Sequence, residues 1–91
     1  MNARVHLLIS GEVQGVFFRA STRDKAVDLG LKGWIRNLMD GKVECIVEGE
    51  KERIEQLIEF CKQGPEGSKV DNIEINWEKP KDEFGSFDIR I

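Results

Sequence analysis

The sequence predicts an α+β fold in which two helices cover one face of a mostly antiparallel sheet. Three observations carry this. Apolar residues alternate with polar ones at Val5, Leu7 and Ile9, at Val43, Cys45 and Val47, and at Phe87, Ile89 and Ile91, which is the period of half-buried strands. Ile54, Leu57, Ile58 and Cys61 form a stripe with the period of an amphipathic helix. Turn residues separate the segments at Gly30, at Asp40-Gly41, at Gly64-Pro65 and from Pro80 to Gly85.

Taken in order, the first strand covers Arg4–Ser10. A helix follows from Arg19 to Leu29, and Gly30 supplies a left-handed stop. The second strand is Lys32–Leu38. Met39-Asp40-Gly41 makes a tight turn, because Asp-Gly favours a hairpin, and the third strand is Lys42–Glu48. The second helix runs from Glu50 to Lys62, and residues 63–68 form a loop. The fourth strand, Val70–Lys79, carries Ile73, Ile75 and Trp77 on one face. After another loop a short fifth strand ends the chain. The order βαββαβ plus a strand is the ferredoxin-like split βαβ sandwich, built from two right-handed split units. The expectation is a single domain over residues 1–91.

At 91 residues the fold buries only about 60–65% of its unfolded-chain surface. A net charge of −3 with 14 dispersed basic residues argues against nucleic acid or an anionic membrane as a main partner. Met1-Asn2-Ala3-Arg4 leads straight into a strand, with no apolar leader segment and no apolar run of spanning length. The expectation is a soluble, cytoplasmic monomer. Cys45 and Cys61 both fit apolar stripes, so they read as small, reduced core residues. The alternative is a disulfide pinning the second helix to the sheet.

The segment Gly11-Glu12-Val13-Gln14-Gly15-Val16-Phe17-Phe18-Arg19 joins the first strand to the first helix, and from Val13 to Arg23 it holds no carboxylate. A helix N-terminus offers unpaired N–H groups and partial positive charge, and chains usually place Asp or Glu there. This one adds a guanidinium, which suits a small oxyanion such as phosphate. The second strand-to-helix junction, Val47 to Arg53, also has a glycine and an arginine. There Glu48, Glu50 and Glu52 are expected to fill the helix N-terminus with the chain's own charge. Plain turn chemistry at Gly11 and Gly15 remains the bland alternative. Period two puts Gly33, Ile35 and Asn37 on one face. The first two strands run parallel, so Asn37 is expected beside the start of the first helix.

Downstream stand Leu29-Gly30-Leu31-Lys32-Gly33-Trp34-Ile35-Arg36-Asn37 and Asp40-Gly41-Lys42-Val43-Glu44. Together with the Gly11–Arg19 segment and the ending Phe84–Ile91, they closely resemble the acylphosphatase family over residues 4–91. The resemblance implies hydrolysis of the carboxyl–phosphate bond of acyl phosphates. It implies a cradle of backbone amides from Gln14, Gly15, Val16, Phe17 and Phe18, with Arg19 gripping the phosphoryl oxygens. It also implies that Asn37 orients the attacking water and that a substrate oxygen takes its proton. No metal and no cofactor are implied; inorganic phosphate is product and inhibitor. Leu38 stands where some relatives carry Ser or Thr.

The spacing also resembles the phosphate loop of cysteine-dependent phosphatases, where a Cys stands six residues before the Arg. Here that position is Val13, which cannot form a phosphoenzyme, so water attacks directly. The leaving carboxylate, with a conjugate acid of pKa about 4, departs without protonation. An alkoxide would need a general acid, and the loop has neither His nor paired carboxylates.

His6, the only histidine, falls on the open sheet face and reads as a surface residue. Asp40 reads as a turn residue, Trp34 and Trp77 as packing residues. Three other functions share this order of elements. An RNA-binding module would stack bases on the open face, but the third strand presents Glu44, Ile46 and Glu48 there. A non-catalytic acyl or carbamoyl phosphate-binding domain of a larger enzyme, and a regulatory ferredoxin-like domain, stay open.

Overall fold

The computed structural model describes residues 2–91. The elements are β1 (Asn2–Glu12), α1 (Phe18–Asp28), β2 (Lys32–Asn37), β3 (Val43–Glu50), α2 (Lys51–Gln63), β4 (Lys69–Glu78) and β5 (Phe87–Arg90). The sheet order is β4-β1-β3-β2-β5. β1 pairs antiparallel with β3 and β4, β2 pairs antiparallel with β3, and β5 runs parallel to β2. The ferredoxin-like architecture expected from the sequence is the one observed.

Both ends of β1 extend past the expected span. Asn2 pairs with Glu50, and Glu12 pairs with Lys69 beyond a bulge at Ser10/Gly11. Gly11 has φ 128°, and a Cβ there would collide with the Lys69 carbonyl, so only glycine lets β1 turn away while β4 stays paired. α1 ends in a Schellman motif. The Gly30 N–H donates to the Val27 carbonyl and the Leu31 N–H to the Ala26 carbonyl, with Gly30 at φ 70°. Asp40 caps the β2–β3 turn by accepting from the Lys42 N–H at 3.1 Å.

One face of the sheet packs against the helices. Val5, Leu7 and Ile9 meet Ile35, Val43, Cys45, Val47 and Phe87, with Phe18, Ala26, Ile54, Leu57, Ile58 and Cys61 above them. Both thiols are free and buried. Burial pushes both up in pKa, Cys61 to about 12, and the Cys61 Sγ lies 3.9 Å from Thr22 Oγ1. On β4, Ile73, Ile75 and Trp77 align with Ile9, Leu7 and Val5. At this edge Ile75 and Trp77 stay partly exposed, and Trp77 lies under the Lys51 ammonium.

The opposite face is held by ion pairs. Arg4 donates to Glu48 and Glu83 at 2.7 Å and to Glu78 at 2.9 Å, and stacks near Phe84. Glu48 also accepts the Lys81 and Asp82 N–H groups at 3.0 and 2.9 Å. This corrects one expectation. Glu48 does not charge the N-terminus of α2, because strand alternation turns its carboxylate to the far side of the sheet. There it clasps the segment between β4 and β5. His6 lies on this face as expected, but it is paired at 2.8 Å with Glu44, which also holds Arg36. Trp34 sits beside the guanidinium groups of Arg36 and Arg90 on the same face.

Burial pushes the Glu48 carboxyl up, but Arg4 and the two N–H groups outweigh it and hold it below the usual carboxylate range. Such a group adds stability above its unfolded value and loses it as the pH falls through the folded one. Glu48→Gln should therefore cost about 2 kcal/mol at pH 7 and flatten the loss of stability on the acid side. Urea unfolding at pH 7 and across the range below about pH 4.5 measures both. An unchanged acid slope would show that Glu48 is not a source of it.

Candidate active site

Beyond Glu12 the chain leaves the sheet and turns into α1. Gly15 has φ 74° and Phe17 φ 60°, with Val16 between them outside the positive region. Alternating backbone sign of this kind points successive N–H groups into one concavity. Phe17 is the N-cap of α1, in the left-handed region with no side-chain cap, a conformation that costs an L-residue roughly 1–2 kcal/mol. Among the described residues no protein acceptor meets the N–H groups from Gln14 to Ala20; the first bond of the helix is Ser21 N–H to the Phe17 carbonyl at 2.9 Å. The first turn of α1 has no acidic residue, whereas α2 carries Glu52 in its first turn and Glu50 at its N-cap. The contrast between the two helix starts holds, with two carboxylates at α2 in place of three.

A pocket of about 270 Å³ opens at this junction, lined by Val13, Gly15, Phe17, Phe18, Arg19, Ala20, Asn37 and Ile89. Arg19 and Asn37, 18 residues apart in sequence, therefore share it. Arg19 Nη1 leans on the Arg90 carbonyl at 3.5 Å. Asn37 closes β2 opposite Val43. Its Oδ1 is buried without a hydrogen-bond partner, alone in this among the side-chain atoms of the described residues. Among the described residues no Asp, Glu, His or Cys lines the pocket. No group of three or more His, Cys, Asp or Glu side chains able to hold a metal occurs among the described residues.

Of the expected cradle, Gly15, Phe17 and Phe18 border the pocket while Gln14 and Val16 do not. Val16 packs against the core. The Gln14 side chain turns to the β2–β3 connection and donates to the Leu38 and Lys42 carbonyls at 2.8 and 2.9 Å. Ile89 and the Arg90 carbonyl were not foreseen. They arrive through the parallel β2–β5 pairing, which no local pattern encodes. A larger cleft of about 520 Å³ is lined partly by Lys32 and Arg53, but also by Glu48, Glu50 and Asp82. Those carboxylates make it a poor receptor for an anion.

Free loop amides, one guanidinium and a neutral amide side chain at a single pocket suit a phosphoryl group and a water molecule. The sequence model of the acylphosphatase family matches residues 5–89. The chain belongs to that family. An acylphosphatase of Pelotomaculum thermopropionicum is 48% identical over 87 residues, covering 96% of this chain and 95% of that protein. The solved acylphosphatase from Coxiella burnetii superposes with a TM-score of 0.93 at 38% identity, over 98% of this chain and 93% of that one. The acylphosphatase from Bacillus subtilis gives 0.94 at 31% identity over the whole of both chains. The reaction is thus hydrolysis of an acyl phosphate to a carboxylate and inorganic phosphate.

An unpaired buried acceptor costs a fold stability. Asn37→Ala should accordingly leave the unfolding free energy within about 1 kcal/mol of the parent, or raise it. Thermal and urea unfolding without phosphate test this. A loss of 2 kcal/mol or more would mean that Asn37 is a structural residue.

Proposed function

We propose that this acylphosphatase acts by direct attack of a water held at Asn37 on a phosphoryl group seated in the loop. The observation that carries this reading is that Asn37, whose side-chain oxygen has no hydrogen-bond partner among the described residues, lines the same pocket as Arg19 and the loop, so a turn of its amide toward the pocket offers that oxygen to water. An amide oxygen accepts a hydrogen bond from water and turns the water's lone pair toward phosphorus. Asn37 is too weak a base to take the proton. The water oxygen bonds to phosphorus, the bond to the acyl oxygen breaks, and its electron pair leaves on the carboxylate. The water's proton passes to a phosphoryl oxygen of the substrate.

Arg19 and the amides from Gln14 to Phe18 bind the phosphoryl oxygens and neutralise the charge that builds on them. The fork of Arg19 can take two oxygens at once, while its contact with the Arg90 carbonyl steadies it. No side chain in the pocket could serve as a general acid. That fits a carboxylate leaving group and disfavours alkyl phosphates. The reading includes metal-independent turnover, inhibition by inorganic phosphate, and a monomer working in the cytoplasm. Pairing of Glu44 with His6 and Arg36, and of Glu48 with Arg4, on the open sheet face supports a protein with no nucleic-acid partner.

Turnover of benzoyl phosphate should survive EDTA, with phosphate competing; loss on chelation and recovery with a divalent ion would overturn the metal-independent reading. Substitutions at two residues separate binding from aiming. Arg19→Ala should weaken phosphate inhibition and lower kcat by roughly 10²–10³, and Arg19→Lys should restore only part of it. Asn37→Ala should lower kcat by about 10² with the phosphate inhibition constant nearly unchanged. Loss of phosphate affinity with kcat retained in Asn37→Ala would make Asn37 a binding residue.

A further inference from the structure

The side chain of Gln14 has no part in the reaction just described, yet its geometry is specific. Its single NH₂ group has two hydrogens. One goes to the Leu38 carbonyl at 2.8 Å and the other to the Lys42 carbonyl at 2.9 Å. Its orientation is unambiguous, because the flipped amide would set an oxygen against two carbonyl oxygens.

The two acceptors are the carbonyls that close the β2–β3 hairpin. The Lys42 carbonyl also accepts the Leu38 N–H at 2.8 Å, and the Leu38 carbonyl also accepts the Gly41 N–H at 3.3 Å. Leu38 directly follows Asn37, and Lys42 directly precedes Val43, the strand partner of Asn37. Gln14 therefore ties the anion-binding loop to both arms of the hairpin that follows Asn37. Nothing else among the described side-chain hydrogen bonds spans these two segments. The exposed Met39 at the tip of that hairpin adds no packing anchor.

We propose that Gln14 is a positioning residue for hydrolysis, fixing the distance between the phosphoryl cradle and the Asn37 amide that aims the water. The inference rests on the water-aiming role of Asn37. A loose hairpin leaves the cradle and Arg19 intact, so phosphate still binds. The water, however, is no longer held on the line of attack, and near-attack geometry is sensitive to displacements of an ångström. The effect of Gln14 belongs in kcat and passes through Asn37.

The experiment is a double-mutant cycle with benzoyl phosphate as substrate and inorganic phosphate as the binding probe. Gln14→Met keeps the length and removes both donors. It should lower kcat about tenfold, with the phosphate inhibition constant within about twofold of the parent. In an Asn37→Ala background the same substitution should lower kcat by less than about twofold, because no aimed water remains to lose. An equal loss in both backgrounds would overturn the proposal, as would an unchanged kcat in Gln14→Met or a loss confined to phosphate affinity. If Asn37→Ala by itself retained kcat, the water-aiming reading would fall first and this one with it, and the single mutant shows which has happened. Should Gln14→Met not fold by circular dichroism, Gln14→Leu runs the same cycle, being neutral and without donors.

Discussion

The backbone N–H groups from Gln14 to Ala20 are held without protein acceptors, and much of the chain is arranged around that constraint. Leaving buried donors unpaired is unfavourable, so they must be partly open to solvent or waiting for an anion. The loop keeps them convergent through two left-handed residues, one of which is a phenylalanine. It can hold that shape because both of its ends are anchored. Glu12 is still paired to β4, and Phe18 is buried in the core. The strain is local and the support comes from the sheet and the helix layer. A carboxylate at the first turn of α1 would satisfy the same donors more cheaply and abolish the site.

The sparseness of the pocket follows from the leaving group. A carboxylate is stable as an anion at neutral pH, so the reaction needs no acid to protonate it. What remains is to gather charge on the phosphoryl oxygens and to present water from a fixed direction. In the proposed mechanism backbone amides and one guanidinium do the first, and a neutral amide side chain does the second. Apolar walls from Val13, Phe18 and Ile89 strengthen these interactions by keeping the local dielectric low. Adding a carboxylate or an imidazole would bring a charge or a competing hydrogen bond into a cavity whose lining has neither.

The opposite sheet face contributes at a distance. Arg4 and Glu48 meet across paired strands, and Glu48 then draws in the backbone of Lys81 and Asp82. Because that segment leads to β5, the clasp helps set where β5 lies along β2. β5 in turn brings Ile89 to the pocket wall and the Arg90 carbonyl to Arg19. Ion pairs of this kind are weak sources of net stability once their desolvation is counted. Their value here is in selecting one position for a strap that has little apolar surface of its own.

The sequence by itself determined the element order, the face each strand buries, and the anion-receptive start of α1. These are short-range properties, written in periods of two and 3.6, in turn residues, and in the missing carboxylates between Val13 and Arg23. Parallel strands joined by one helix were enough to place Asn37 beside Arg19. Glu48 lies close to α2 in sequence but not in space, because strand alternation sends its carboxylate to the other side of the sheet. The partners of Gln14, the pairing of His6 with Glu44, and the arrival of Ile89 and Arg90 were beyond sequence reading. Each joins segments at least 24 residues apart, and which side chains meet across such a gap is decided by sheet register and packing, for which local sequence carries no signal.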